Sequence, residues 1–356
     1  ISRGLVGSEM CIRDRTNLVR LSLVLTFIVI MLGAYTRLAD AGLGCPDWPG
    51  CYGQLTVPND QQEIALAKSL YPELTVEANK AWLEMIHRYF AGTLGLLVFA
   101  ISFRVIKEKS LPYGLPIVIS LVVVFQALLG MWTVTMKLMP LVVMGHLLGG
   151  FTLFCLLALL YWRLLDRKSP IEAAPHVSSW LKFLAPVTLC FIVIQIALGG
   201  WTSSNYAALM CTSLPVCEGN WTEHLDFDRA FQLVQPKQET YEFGTLDYGA
   251  RMTIHVTHRF GAVLVALLSI SLLCALLCAR NPKLTSAAFK VGVLLILQIS
   301  LGIANVLLSL PLVVAVAHNL VAALLLLSVL HVNYLLRQKV TANAHSTRFF
   351  RKESSR

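Results

Sequence analysis

Charged residues are scarce in this chain. They make up 14% of its 356 residues, whereas soluble proteins carry about 25%. This shortage excludes a soluble two-domain enzyme, and a hydrophobic fraction of 56% excludes a disordered chain. Cysteine is sparse as well, because nine cysteines in a chain of this length are too few for a disulfide-stapled scaffold. With a mean hydropathy of +0.67, the composition predicts a polytopic membrane protein.

Long apolar runs, by contrast, are frequent. A helix needs about 20 apolar residues to cross a bilayer, and eight stretches reach that length. They predict an all-α integral membrane protein with transmembrane helices at 18–38, 83–105, 113–135, 139–162, 180–203, 252–279, 285–309 and 312–336. We expect residues 1–15 to be a non-native segment, because they do not begin with Met and have neither the apolar run nor the cleavage site of a signal peptide.

The net charge of +9 is divided unequally between the two sides of the predicted membrane. With the N-terminus inside, the inner loops and tail hold 20 of the 29 Lys and Arg but only six of the 20 acidic residues. By the positive-inside rule, both termini, including the basic tail 339–356, are expected in the cytoplasm of a bacterium, with the spans in its inner membrane. The basic balance is therefore explained by membrane lipid, without a nucleic-acid partner.

The chain contains two copies of one pattern. Near the end of the first span of each copy a glycine, Gly33 or Gly199, precedes two loop cysteines, the first of them 12 residues later. His-Arg, Gln and Pro-Leu-Val-Val motifs then recur in the same order, at offsets of 166 to 172 residues. Four spans per copy is an even number, so both copies have the same orientation. We therefore predict two four-helix bundles, 16–168 and 169–338, related by a pseudo-twofold axis along the membrane normal.

Four histidines lie inside predicted spans, where an ionisable residue is costly and points to function. His87 and His146 belong to the N-terminal half, and His258 and His318 occupy the matching positions of the C-terminal half. Two histidines on facing helices can ligate a haem iron from both sides, whereas zinc needs three or four protein ligands. The pattern predicts one bis-histidine haem site in each half. The alternative is a set of core histidines bonded to nearby carbonyls.

The repeat is broken beside the first of these histidines. Glu84 stands where the C-terminal half has His255, and it precedes His87 by three residues, so the two side chains share a helix face. A carboxylate at the edge of a porphyrin can stabilise positive charge or take a proton from water, so we predict that Glu84 is catalytic. The alternative is an interfacial glutamate that pairs with Arg88. His255 is interpreted as a polar neighbour of the second haem.

The loop cysteines form two pairs with equal spacing. Cys45 and Cys51, like Cys211 and Cys217, have five residues between them. Both pairs lie in predicted outer loops, which face an oxidising compartment in bacteria. We therefore expect the disulfides Cys45–Cys51 and Cys211–Cys217.

Three further groups of residues have less specific interpretations. Candidates to bind haem propionates, or else to anchor at the interface, are Arg37, Arg88 and Arg259. Trp132 and Trp201 are expected in the aromatic belt at the membrane interface. We expect interhelical hydrogen bonds, more than a role in a binding pocket, for Gln126, Gln195 and Gln298.

Taken together, these motifs resemble the haem A synthase family. The resemblance covers residues 17–336 and includes the eight spans in two halves. Besides the second pair of loop cysteines, it rests on GCPDWPGCYG at 44–53, EMIHR at 84–88, GHLLGG at 145–150, HVTHRFGA at 255–262 and AHN at 317–319.

The resemblance implies an oxidoreductase acting on a CH group. Such an enzyme oxidises the C8 methyl group of haem O to a formyl group by successive water-derived hydroxylations, and so supplies haem A to cytochrome oxidase. By resemblance, the N-terminal half holds the substrate between His87 and His146, with Glu84 as the catalytic carboxylate. The C-terminal half holds a haem b cofactor between His258 and His318. Haem O synthase and cytochrome oxidase assembly factors are the implied partners, and a homo-oligomer stays open.

Two other functions would use the same histidines. A bis-histidine di-haem electron-transfer cytochrome would use all four as structural ligands and leave Glu84 idle. A haem permease would place its site near the bilayer midplane, whereas these histidines are predicted in the outer half. Substitution of Glu84 separates the synthase from both alternatives.

Overall fold

The computed structural model describes residues 2–108, 111–166 and 177–338, with side chains from residue 16 onward. Within these ranges the chain is helical apart from its loops and an isolated β-bridge between Cys51 and Gln54. The helices are α1 (Ser2–Leu38), α2 (Gln61–Leu70), α3 (Ala78–Lys107), α4 (Gly114–Thr135), α5 (Pro140–Asp166), α6 (Ser179–Ser204), α7 (Phe227–Ala230), α8 (Tyr248–Cys278), α9 (Pro282–Leu307) and α10 (Leu312–Arg337), with a 3-10 turn at Trp221–His224.

Eight of these helices are long and apolar enough to cross a membrane: α1, α3, α4, α5, α6, α8, α9 and α10. They coincide with the eight predicted spans, so the prediction of an all-α, multi-pass membrane protein is confirmed. In the predicted non-native segment 1–15, the backbone of residues 2–15 continues α1, and the side chains lie outside the described residues. The predicted basic tail 339–356 also lies outside them.

Side-chain caps determine where several helices begin. Asp60, Ser178 and Asp247 precede α2, α6 and α8, and each accepts a hydrogen bond from the backbone amide three residues later. Asn281 caps α9 with Pro282 as the first helical residue, where a missing N–H costs nothing. The cap at Asp247 fixes the start of α8, the helix that carries the predicted ligand His258.

We expect the Asp247 cap to make stability depend on pH. The amide of Ala250 and the guanidinium of Arg229 hold the pKa of this carboxyl below its usual range. Its contribution is therefore complete above the pKa of an unfolded aspartate, about 3.9, and is lost as the pH falls through the lower folded pKa. Asp247→Ala should cost about 1 kcal/mol at neutral pH. Thermal unfolding in detergent at neutral and acidic pH measures both effects. If Asp247→Asn and the unaltered chain lose the same stability on acidification, the Asp247 carboxyl is not the source of the pH dependence.

The spanning helices form two closed groups of four. In the N-terminal half α1 contacts α3, α3 contacts α4, α4 contacts α5, and α5 returns to α1. The C-terminal half repeats this order with α6, α8, α9 and α10. Helices at opposite corners, such as α3 and α5, make no direct backbone contact in the described part of the chain. The two halves meet through α5–α6, α1–α10 and α5–α10, a pattern compatible with the pseudo-twofold relation, which stays a prediction.

We call the side of the molecule that carries the loops 39–77 and 205–247 the loop face. The core of each bundle is packed tightly away from this face, by residues such as Val98 and Leu157 in one half and Leu272 and Val329 in the other. In lipid this packing stabilises the bundle mainly through van der Waals contact. The four predicted histidine ligands lie in the halves of their helices nearer the loop face, outside this tightly packed region.

The loop face is closed by two disulfide-bonded loops. Cys45 is bonded to Cys51 and Cys211 to Cys217, with Cα–Cα distances of 4.8 and 5.1 Å. Both cysteines of the first pair are fully buried. Each loop is thereby held as a compact cap over the helix ends of its own half.

Polar contacts join the halves at both ends of their interface. Near the loop face, Arg37 of α1 donates to the hydroxyl of Tyr206 at 2.8 Å and to the carbonyl of Ser203 at 2.9 Å. At the opposite face Asp166 of α5 accepts hydrogen bonds from Tyr334 of α10 and from Gln338. The apolar interface is therefore aligned by directional bonds at each end.

The predicted aromatic-belt position of Trp201 is wrong. Its side chain is buried, and its Nε1–H donates a 2.7 Å hydrogen bond to the carbonyl of Ala230 in α7. The loop 205–247 folds back over the end of α6, so the indole lies inside the protein rather than at a lipid interface. Trp132 is partly exposed, and its place in the belt stays a prediction.

Candidate functional site

The predicted ligands of the N-terminal half face each other across the bundle. His87 lies on α3 and His146 on α5, which are opposite corners of the group of four helices. Their ring centres are 6.4 Å apart, with the ring planes at 86°. Two metal–imidazole bonds of about 2 Å in line, together with the two half-rings, span roughly 6 Å. The separation therefore suits one metal ion held between two histidines.

The C-terminal half repeats this arrangement with different polar neighbours. His258 lies on α8 and His318 on α10, the corners equivalent to α3 and α5. Nδ1 of His258 is 3.0 Å from the amide nitrogen of Gln195, and Nε2 of His318 is 3.1 Å from that of Gln298. The interhelical role predicted for these glutamines thus includes a direct contact with the predicted ligands. In the sequence, the signal that points to Gln126 and Gln298 is that they occupy matching positions in the two copies, as His146 and His318 do.

Each of the four rings packs against a glycine of the preceding span. A Cβ atom built on Gly33 would lie 2.9 Å from Cε1 of His87, and one on Gly199 would lie 3.1 Å from Cε1 of His258. Gly130 and Gly302 approach His146 and His318 in the same way, at 3.4 and 3.2 Å. The glycines therefore leave the space that the imidazoles occupy, and they explain why the glycine positions recur in both halves.

Replacing Gly33 by alanine is expected to displace the His87 ring. The added methyl would overpack the site, which costs about 1–3 kcal/mol, and ligand binding in the N-terminal half should weaken. Gly92 on α3 is the matched control, because a Cβ atom at that position would meet no neighbouring atom within 4 Å. Haem content of the purified variants measures the effect. Equal haem content in Gly33→Ala and Gly92→Ala would contradict this packing role.

Several buried polar atoms near the histidines have no hydrogen-bond partner among the described residues. They include Nδ1 of His87 and His146 in the N-terminal half. In the C-terminal half they include Nδ1 of His318, Oε1 of Gln298, Oδ1 of Asn305 and Nδ2 of Asn319. Buried polar atoms are usually paired, so these groups fit a polar ligand in each half. A haem fits this set of residues, since the two histidines of each half could ligate its iron and the other polar groups could meet its polar substituents.

Glu84 is buried beside the first disulfide loop. One carboxylate oxygen accepts from Arg88 at 2.5 Å, and the other accepts from the backbone amide of Cys45 at 2.9 Å. Glu84 therefore forms the ion pair with Arg88 that the alternative to a catalytic role predicts. It also lies one helical turn from His87. The carboxylate is held by two charge-assisted bonds in a site shielded from bulk water, so its position relative to α3 is well defined.

His255, at the repeat-related position, makes a different contact. Its Nε2 accepts from Nε of Arg259 at 3.1 Å, and no carboxylate takes part. Only the N-terminal half therefore combines a histidine pair with an adjacent buried acid among the described residues.

The three predicted propionate-binding arginines contact the protein itself. Arg88 donates to the carbonyls of Pro49 and Gly50 in the first disulfide loop, and Arg259 donates to those of Cys211 and Ser213 in the second. Arg37 lies between the two halves. Their contact with haem propionates stays a prediction, while the structure shows that Arg88 and Arg259 tie each loop to the helix that carries a predicted ligand.

Comparison with known proteins shows the family of the chain. The family model described as "Cytochrome oxidase assembly protein" matches residues 16–330. A haem A synthase of Shewanella oneidensis is 54% identical over 329 residues, which cover 92% of this chain and 98% of that protein. Haem A synthases of Rickettsia bellii and Rickettsia prowazekii are 26% and 25% identical, over 85% and 86% of this chain and 92% and 93% of theirs.

Proposed function

Because this chain belongs to the haem A synthase family of cytochrome oxidase assembly proteins, we propose that it is a haem A synthase that oxidises the C8 methyl group of haem O to a formyl group. One observation carries the proposal. The N-terminal half places two facing imidazoles, 6.4 Å apart, next to a buried carboxylate. A site that only held a haem for electron transfer would not need this acid.

The chemistry is a stepwise oxidation of a methyl group. In each of two hydroxylations a C–H bond of the methyl carbon is replaced by a C–O bond whose oxygen comes from water. Two electrons pass to an external electron acceptor, and two protons are released, one from the C–H group and one from the water. The resulting aldehyde hydrate loses water to give the formyl group. His87 and His146 would hold the haem O iron and so position the macrocycle, and Glu84 would accept a proton from water or stabilise positive charge that develops at the porphyrin edge.

The C-terminal half is the proposed site of a haem b cofactor. His258 and His318 would hold it, and Gly199 and Gly302 give their rings room. The amide nitrogen of Gln298 lies 3.1 Å from Nε2 of His318 and would move aside if this nitrogen bound the iron. When bound, haem b supplies a one-electron redox centre close to the substrate half.

We place the chain in the bacterial inner membrane, with the loop face outward and both termini in the cytoplasm. The excess of Lys and Arg in the loops opposite the loop face supports this orientation. Haem O synthase is the proposed source of the substrate, since the reaction consumes haem O in the same membrane.

Chromatography of the haems that co-purify with the chain, produced together with a haem O synthase, tests the proposal. We expect haem B together with haem O, a hydroxylated intermediate or haem A. Haem B alone, at two per chain and unchanged by the supply of haem O, would overturn the proposal and favour a di-haem electron-transfer cytochrome.

A further inference from the structure

The two halves differ at a pair of positions beside their first histidine. Where α6 has Gln195, α1 has Val29, and where α8 has Gly261, α3 has Phe90. Each C-terminal residue lies at the repeat offset from its N-terminal counterpart, as Gly33 and His87 do from Gly199 and His258. The repeat is therefore broken at two positions that face one another in space.

The contacts explain why the two changes occur together. The Gln195 amide nitrogen lies 3.0 Å from Nδ1 of His258 and 2.8 Å from the backbone carbonyl of the same residue. A Cβ atom on residue 261 would lie only 2.2 Å from the Gln195 side-chain oxygen. The amide can occupy this place only because Gly261 has no side chain. The Val29 side chain has no polar atom, and His87 is left with a contact to the Val29 backbone.

We propose that Gln195 is a positioning residue that holds the His258 ring by its Nδ1 edge, so that Nε2 is presented to the cofactor iron. When Nε2 binds a metal, a neutral His258 carries its proton on Nδ1. The amide would then turn over to accept from Nδ1–H and would give up its present bond to the His258 carbonyl. Hydrogen bonds to the outer nitrogen of a metal-bound histidine set its orientation and basicity, and their loss typically weakens metal binding by about 10–100-fold.

This inference rests on the proposed function, and it explains why the two halves differ at the positions of Gln195 and Gly261. A cofactor should remain bound through many turnovers, whereas a substrate haem must enter and its product must leave. Gln195 and Gly261 strengthen the hold on the iron in the C-terminal half. Val29 and Phe90 leave His87 without such a partner side chain, which suits a haem that is exchanged.

The test measures haem b rather than turnover. In a His87→Ala background, which leaves only the C-terminal site, haem B release to excess apomyoglobin and the haem b reduction potential are compared among variants. Gln195→Met keeps the size of the side chain but removes the amide contact, and Gly261→Ala displaces the amide without removing it. Gly92→Ala is the control for an added methyl, since its surroundings are open.

We expect Gln195→Met and Gly261→Ala each to release haem B about 10–100-fold faster than the background, with a shifted potential and a low-spin spectrum that shows both histidines still bound. Release and potential equal to those of the background in both variants would overturn the positioning role. The conversion of haem O is measured separately, in chains that keep His87. A chain that converts no haem O but shows the Gln195 effect on haem B would contradict the proposed function alone.

Discussion

Glu84→Gln is expected to lower the conversion of haem O by about 10²–10⁴-fold, the usual range for the loss of a general base. Glutamine has nearly the same shape and can still accept the hydrogen bond from the Cys45 amide. It cannot take a proton, and it carries no negative charge. The loss should therefore appear in turnover, while the two haems remain bound and their spectra change little.

The second contact of Glu84 makes the choice of variant important. Because Glu84 also pairs with Arg88 and anchors the first disulfide loop, Glu84→Ala would leave a buried guanidinium without its partner. Breaking a buried pair of this kind costs about 3–5 kcal/mol. Loss of activity in the alanine variant alone would therefore report folding as well as chemistry, and the glutamine variant separates the two.

His255→Ala is the matched control, since His255 occupies the repeat-related position in the other half. It should leave haem O conversion within a few-fold of the unaltered chain. If Glu84→Gln converts haem O at the rate of the unaltered chain, Glu84 only anchors the loop, and the N-terminal half has no catalytic carboxylate of the kind proposed.

His258→Ala is expected to remove haem B almost completely from the purified chain. The remaining ligand, His318, would bind the iron from one side only, and the bis-histidine site would be lost. His87→Ala should give the opposite result, with haem B retained and the haem O bound in the N-terminal half lost. Extraction and chromatography of both variants, made together with a haem O synthase, measure the two haems separately.

His224→Ala serves as the control for a general effect of losing a histidine, because His224 is exposed in the loop 205–247. It should keep both haems. Retention of haem B in His258→Ala, with its loss in His87→Ala, would reverse the assignment of substrate and cofactor to the two halves.

Much of the fold could be predicted because the information is local in the chain. The length of each apolar run determines whether a helix crosses the membrane, and the eight spans are found where the runs lie. The spacing of Cys45 and Cys51 likewise predicted a bond that the structure contains. The four histidines were identified because an ionisable side chain inside an apolar run is costly wherever the helix packs.

The assignment of single polar residues was less complete. Glu84 was identified by comparison of the two copies, but its bond to the Cys45 amide depends on how the disulfide loop folds back over α3. The sequence leaves Arg37 open between a haem propionate and an interfacial anchor, yet its guanidinium bonds to Tyr206 and to the Ser203 carbonyl, which only the packing of the two halves brings within reach. The sequence predicts Trp201 in the aromatic belt at the membrane interface, because no local pattern shows that a loop will cover it.

The lengths of the apolar runs and the internal repeat determined the number of helices, their order and the types of residue inside them, since these features are local in the chain. Only the tertiary structure decided that α3 and α5 lie at opposite corners of the bundle. This brings the His87 and His146 rings to opposite sides of one site, with centres 6.4 Å apart. It alone paired Gln195 with the space beside Gly261. A side chain's partner belongs to another helix, distant along the chain, and the packing of the whole bundle selects it.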